Sequence, residues 1–126
     1  MNTSQAPVER RQHPRFKAAD GVFAALINHG SKLGQIKDIS KIGLSFRYID
    51  SGDEPGETSE LKIIIGMGGV YLDKLPFRKV NDFQIHNEYS FSSLKIRQIG
   101  LQFGQLNTQQ SIQLEHFIQN HTIGEA

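Results

Sequence analysis

The chain has 126 residues, about one domain's length, and its 37% hydrophobic content is that of a soluble globular protein. Fourteen basic residues against 13 acidic ones leave a net charge of +1, which argues against a protein that coats long stretches of nucleic acid. Zero cysteines exclude a disulfide framework and thiolate chemistry, and no run approaches the roughly 18 apolar residues that span a bilayer. Met1–Val8 is polar and lacks the apolar stretch of a secretory signal, so a cytoplasmic location is the default expectation.

Residues 1–9 show no periodicity and are expected to form a mobile tail. Next comes Glu9-Arg10-Arg11-Gln12-His13-Pro14-Arg15, which holds three of the six arginines in the chain. Pro14 disfavours helix at His13, so residues 10–15 are expected to be an extended arm leading into the first strand. The planar guanidinium fork fits phosphate oxygens and the O6/N7 edge of guanine. Such a cluster in a nearly neutral chain points to a compact anionic ligand.

Residues 16–104 are a text of short strands and turns. Val22–Ile27 is apolar on both alternating faces, as in a strand buried on two sides. His29-Gly30-Ser31 is a turn, and Leu33–Ile39 and Gly43–Ile49 are the next strands. In the latter Leu44, Phe46 and Tyr48 face one way, Ser45 and Arg47 the other. Asp50–Glu57 is an acidic loop rich in breakers. Leu61–Ile65, Val70–Leu72 and Leu75–Val80 are further strands, with Gly66-Met67-Gly68-Gly69 as a turn. That turn lacks the Lys-Ser/Thr of a phosphate-binding P-loop. The stretch from Phe83 to Phe91 has no clear register. Leu94–Phe103 is strand-like, with a slip between Ile96 and Ile99 that predicts a bulge or turn near Arg97–Gln98.

The ending changes period. Leu114, Phe117, Ile118 and His121 stand at i, i+3, i+4 and i+7, one face of a helix over 107–121. Asn107 or Thr108 can cap its start, and Gly124 lies past its end. The expected fold is mainly β: a small antiparallel barrel of six to seven strands with a short C-terminal α-helix. No histidine pair has metal-ligand spacing, and no Gly-x-Ser-x-Gly elbow accompanies Ser40, so no metal site, cofactor or enzymatic activity is expected. His13, inside the arginine arm, is the one histidine of interest.

Two patterns occur in order: Arg11-x-x-x-Arg15, then Asp38-Ile39-Ser40-Lys41-Ile42-Gly43. Read by itself, the second describes a turn stabilised by its Asp or Ser side chain with glycine at positive φ, and the first a solvated basic tail. Together, with Gly43-Leu44-Ser45-Phe46 and Ile99-Gly100-Leu101-Gln102-Phe103 before a short helix, they resemble the PilZ-domain family from about Arg10 to Ile118, which implies one such domain over residues 10–122. That resemblance implies a split barrel and a receptor for cyclic di-GMP, with Arg10, Arg11, Arg15, Asp38, Ser40 and Gly43 as the ligand-binding residues.

The residue types suit that ligand. Arg11 and Arg15 can take a phosphate or a guanine O6/N7 edge, a bidentate contact worth roughly 1–3 kcal/mol. The Asp38 carboxylate accepts from the guanine N1–H and N2–H₂ donors. The Ser40 hydroxyl can bond a phosphate or ribose oxygen. Gly43 permits a backbone conformation, or a close ligand approach, that a Cβ would obstruct. The resemblance further implies that Arg10 favours an intercalated ligand dimer over one molecule, stacking on a base for about 0.5–2 kcal/mol.

The leading expectation is a cytoplasmic receptor that signals to a separate effector protein. A second reading is a PilZ-like adaptor that acts through protein contacts with weak or no nucleotide binding. A third, a single-stranded RNA or DNA barrel, is opposed by the near-zero net charge.

Overall fold

The computed structural model describes residues 13–27, 31–50, 60–85 and 95–126. The tail 1–9, Arg10, Arg11, most of the His29–Ser31 turn, the Ser51–Glu57 part of the acidic loop and the stretch from His86 to Phe91 lie outside the described residues.

Among the described residues, nine strands and one α-helix follow in chain order: β1 (Phe16–Ala18), β2 (Val22–Ile27), β3 (Ser31–Ile39), β4 (Gly43–Asp50), β5 (Glu60–Ile65), β6 (Gly69–Leu75), β7 (Phe77–Ile85), β8 (Lys95–Phe103), α1 (Thr108–Asn120) and β9 (Thr122–Glu125). Seven strands run side by side in the order β6-β5-β2-β3-β4-β8-β7, all antiparallel neighbours. The short β1 pairs with β3 and with β9. Gly66–Gly68 forms a single 3-10 turn between β5 and β6, the turn expected there.

Alternation places the core. On β4, Leu44, Phe46 and Tyr48 are buried while Arg47 is exposed. Phe46 packs with Ile36, Ile39, Leu61, Ile63, Leu72 and Ile99 in one apolar cluster. On β2, neighbours Ala24 and Ala25 point to opposite faces and are both buried, which matches the two-sided burial expected for that strand.

Helix α1 closes over this cluster. Asn107 caps it reciprocally: its Oδ1 accepts from the Gln110 N–H at 2.7 Å, and Gln110 Oε1 accepts from the Asn107 N–H at 3.1 Å. Leu114 and Phe117 are buried, and the Phe117 ring lies 5.7 Å from that of Tyr71 on β6. His116 and His121 both flank that tyrosine. The Tyr71 hydroxyl and His116 Nδ1 are 2.8 Å apart, and the His121 ring meets Tyr71 edge-on at 5.8 Å.

Two local readings are corrected. Gly124 is not the stop signal of the helix: His121 caps it, and residues 122–125 turn back as β9 to pair with β1. Gly124, at φ +136°, sits inside that strand. Nor is β8 bulged at Arg97–Gln98, because it pairs with β4 without a break from Gly43↔Gln102 to Asp50↔Lys95. Ile96 and Ile99 simply face opposite sides of a regular strand. Register shifts do occur in the β5–β6 and β1–β9 pairs and, with consequences for the site, on β3 and β7.

Candidate ligand site

Strand β1 brings Arg15, the last residue of the first motif, to the second. Phe16 pairs with Ile39 and Lys17 with Asp38, so the arm enters the sheet directly beside the β3–β4 turn. The C-terminal strand fixes the same point from the other side, where the Ala126 N–H donates to the Arg15 carbonyl at 2.8 Å. Arg15 is thereby held at the mouth of a pocket of about 630 Å³ that Asp38, Ser40 and Gly43 also line. His13 lines it as well. Arg10 and Arg11 precede this point, outside the described residues.

The pocket lies on the outer face of β3, β4, β8 and β7, and two bulges shape it. On β3, Ile36 pairs with Phe46 but Asp38 with Ser45, leaving Lys37 as an extra residue. Strict alternation would turn Asp38 to the core with Ile36. The bulge instead allows both Ile36 and Ile39 to be buried and leaves Asp38 half-buried in the pocket. On β7, Lys79 pairs with Leu101 and Asn81 with Gly100, so Val80 is the extra residue. That step puts Asn81 in the pocket and turns Asp82 inward beside Ile99.

A row of side-chain positions therefore crosses five strands: Lys17, Asp38, Ser45, Gly100 and Asn81. Gly100 carries no side chain, and the Asn81 amide lies over it, its oxygen 2.8 Å from where a Cβ would stand. Flanking the row, Gln98 Oε1 accepts from Arg47 Nε at 2.9 Å, and Gln102 Oε1 from Arg78 Nη2. With their oxygens occupied, both glutamines offer the pocket amide donors, which suit phosphate or sugar oxygens. Exposed Ile42, Val80 and Phe83 supply apolar rims.

The Asp-x-Ser-x-x-Gly turn is self-bonded. The Ser40 N–H donates to the Gly43 carbonyl at 2.8 Å, and Ser40 Oγ accepts from the Ile42 N–H at 3.1 Å. Ser40 is only 3% exposed, so its oxygen first serves the turn, with its hydroxyl hydrogen left over for a ligand. Gly43 does not adopt positive φ. A Cβ there would fall on the Leu101 carbonyl of β8, so the glycine admits a neighbouring strand. The turn reading was right about Ser40 and wrong about the conformation of Gly43.

Beneath the pocket, on the inner face, Asp82 ties β7 to its neighbours. Its Oδ2 accepts from the Tyr48 hydroxyl and its Oδ1 from Arg97 Nε, both at 2.7 Å. Burial, and then the Asp82 carboxylate, push the Tyr48 phenol well above its ordinary value. The bond to Asp82 likewise holds the Arg97 guanidinium above its usual range. This triad was not legible in the sequence, since Tyr48, Asp82 and Arg97 come from three strands and join only through register.

No protein-family model matches the sequence, and neither does any curated protein. Solved structures do match the fold. MrkH of K. pneumonia, solved in complex with c-di-GMP, superposes with a TM-score of 0.67 at 18% identity over 90% of this chain. A second MrkH structure, described as a c-di-GMP-dependent transcription regulatory factor, gives 0.60 at 17% identity over 89%. The PilZ domain of Escherichia coli YcgR, solved with c-di-GMP, gives 0.63 at 14% identity and covers 90% of this chain and 92% of its own. The chain therefore has the fold of a PilZ domain. It spans about half the length of MrkH, 52% and 51% in the two structures.

Proposed function

We propose that this chain is a receptor for cyclic di-GMP, with residues 10–122 as one PilZ domain that signals to a separate cytoplasmic effector. The carrying observation is the β1–β3 register, which sets Arg15 beside Asp38 and Ser40 at one pocket. Its volume of about 630 Å³ lies within the roughly 300–1,000 Å³ of small-molecule clefts. The shared fold with proteins solved in complex with c-di-GMP supports the choice of ligand.

In this reading Arg15, with Arg10 and Arg11 from the arm, takes phosphates and guanine O6/N7 edges. Asp38 takes guanine N1–H and N2–H₂, because a carboxylate would repel the phosphates. Ser40 donates its remaining hydroxyl hydrogen to a phosphate or ribose oxygen. Gly43 contributes by holding β4 against β8, and so shapes the pocket floor. No helix among the described residues is long and apolar enough to cross a membrane.

Calorimetric titration with cyclic di-GMP tests the proposal, and Arg10→Leu run in parallel reports whether one molecule or an intercalated pair binds. Ligand at about 100 times its Kd should add roughly 2.7 kcal/mol of stability, a rise of several degrees in Tm. A wild-type titration without heat, together with an unmoved melting curve, overturns it.

A further inference from the structure

Ser45 lies outside both sequence motifs, yet it lines the pocket. It is 8% exposed, and its Oγ is buried without a hydrogen-bond partner among the described residues. Buried hydroxyls are ordinarily bonded, so an orphan at a pocket floor points to a ligand that completes it. Ser45 is also the direct cross-strand partner of Asp38, which places the two side chains next to each other on the outer face. Its other partner is Gly100, over which the Asn81 amide lies.

We infer that Ser45 is a specificity residue that donates its hydroxyl hydrogen to guanine O6 while Asp38 accepts from N1–H and N2–H₂ of the same base. The inference rests on the cyclic di-GMP reading and deepens it. Guanine's pairing edge runs acceptor, donor, donor. A hydroxyl beside a carboxylate is the matching donor, acceptor, acceptor set, with a serine rotamer turn bringing the hydrogen up to the base. Adenine offers a donor where O6 stands and no N1–H, so it mismatches both groups. A purely structural Ser45 would leave ligand choice untouched.

The test is calorimetry of wild type and Ser45→Ala with cyclic di-GMP and with its 6-thioguanine analogue, which keeps N1–H and N2–H₂ but replaces O6 with a poor acceptor. Ser45→Ala should weaken cyclic di-GMP binding about tenfold and erase the preference over the thio analogue, as loss of one base contact requires. Ser45→Cys, near in shape and weaker as a donor, should shift both the same way and covers the case of an alanine variant that fails to fold. Affinity within about twofold of wild type, or an equal loss for both nucleotides, overturns the role of Ser45 alone. Wild type that binds neither nucleotide overturns the receptor proposal itself.

Discussion

Gly43 on β4 and Leu101 on β8 approach so closely that the Leu101 carbonyl occupies the place a Cβ of residue 43 would take. The Ile42 carbonyl, one residue earlier, accepts from the Phe103 N–H at 2.7 Å, which fixes the same pair of strands. The motif glycine thus has a packing role that precedes any ligand. Gly43→Ala should lose about 1–3 kcal/mol in denaturant unfolding without nucleotide present. Unchanged stability with weakened binding would assign the glycine to the ligand instead.

Arg15 presents the opposite case. It is exposed, and its described contact to the rest of the fold runs through its backbone carbonyl, which Ala126 engages. Arg15→Ala should leave the ligand-free melting curve in place. Its affinity for cyclic di-GMP should fall about 5- to 150-fold, the equivalent of roughly 1–3 kcal/mol for a bidentate guanine contact. Calorimetry and melting on the same sample separate the two effects.

Tyr48 should ionise above the ordinary tyrosine range in an ultraviolet titration. Burial and the Asp82 carboxylate raise its folded pKa above the value of about 10 expected in the unfolded chain. Between those two values the folded state holds the extra proton, so this group's contribution to stability is constant below about pH 10 and declines as pH rises through the window. Tyr48→Phe should remove that slope. It should also cost about 1.5–3 kcal/mol near neutral pH, by taking away a hydrogen bond to a charged group.

Asn107→Ala breaks the reciprocal cap of α1. The expected loss is about 1 kcal/mol, read as a lower denaturant midpoint. Because the cap lies away from the pocket-lining residues, nucleotide affinity should hold.

Much of the architecture was readable from residue order alone. Period-2 alternation marked β4 and an apolar run on both faces marked β2, while β5 and β8 were legible as strand-like stretches. Leu114 and Phe117 marked α1 by their helical spacing, and Asn107 marked its start by cap chemistry. The two motifs identified Arg15, Asp38 and Ser40 as neighbours in waiting. What residue order could not supply was register. The bulge at Lys37 turns Asp38 outward, and the one at Val80 turns Asn81 outward and Asp82 inward. A bulge depends on which residues of a partner strand stand opposite, and that information is not local. For the same reason the strand β9, the Tyr48–Asp82–Arg97 triad and the unpartnered hydroxyl of Ser45 emerged only when distant segments were brought side by side. Local patterning decided which faces are apolar. Tertiary pairing decided which polar groups share a pocket, because a shift of one residue sends every following side chain to the other side of the sheet.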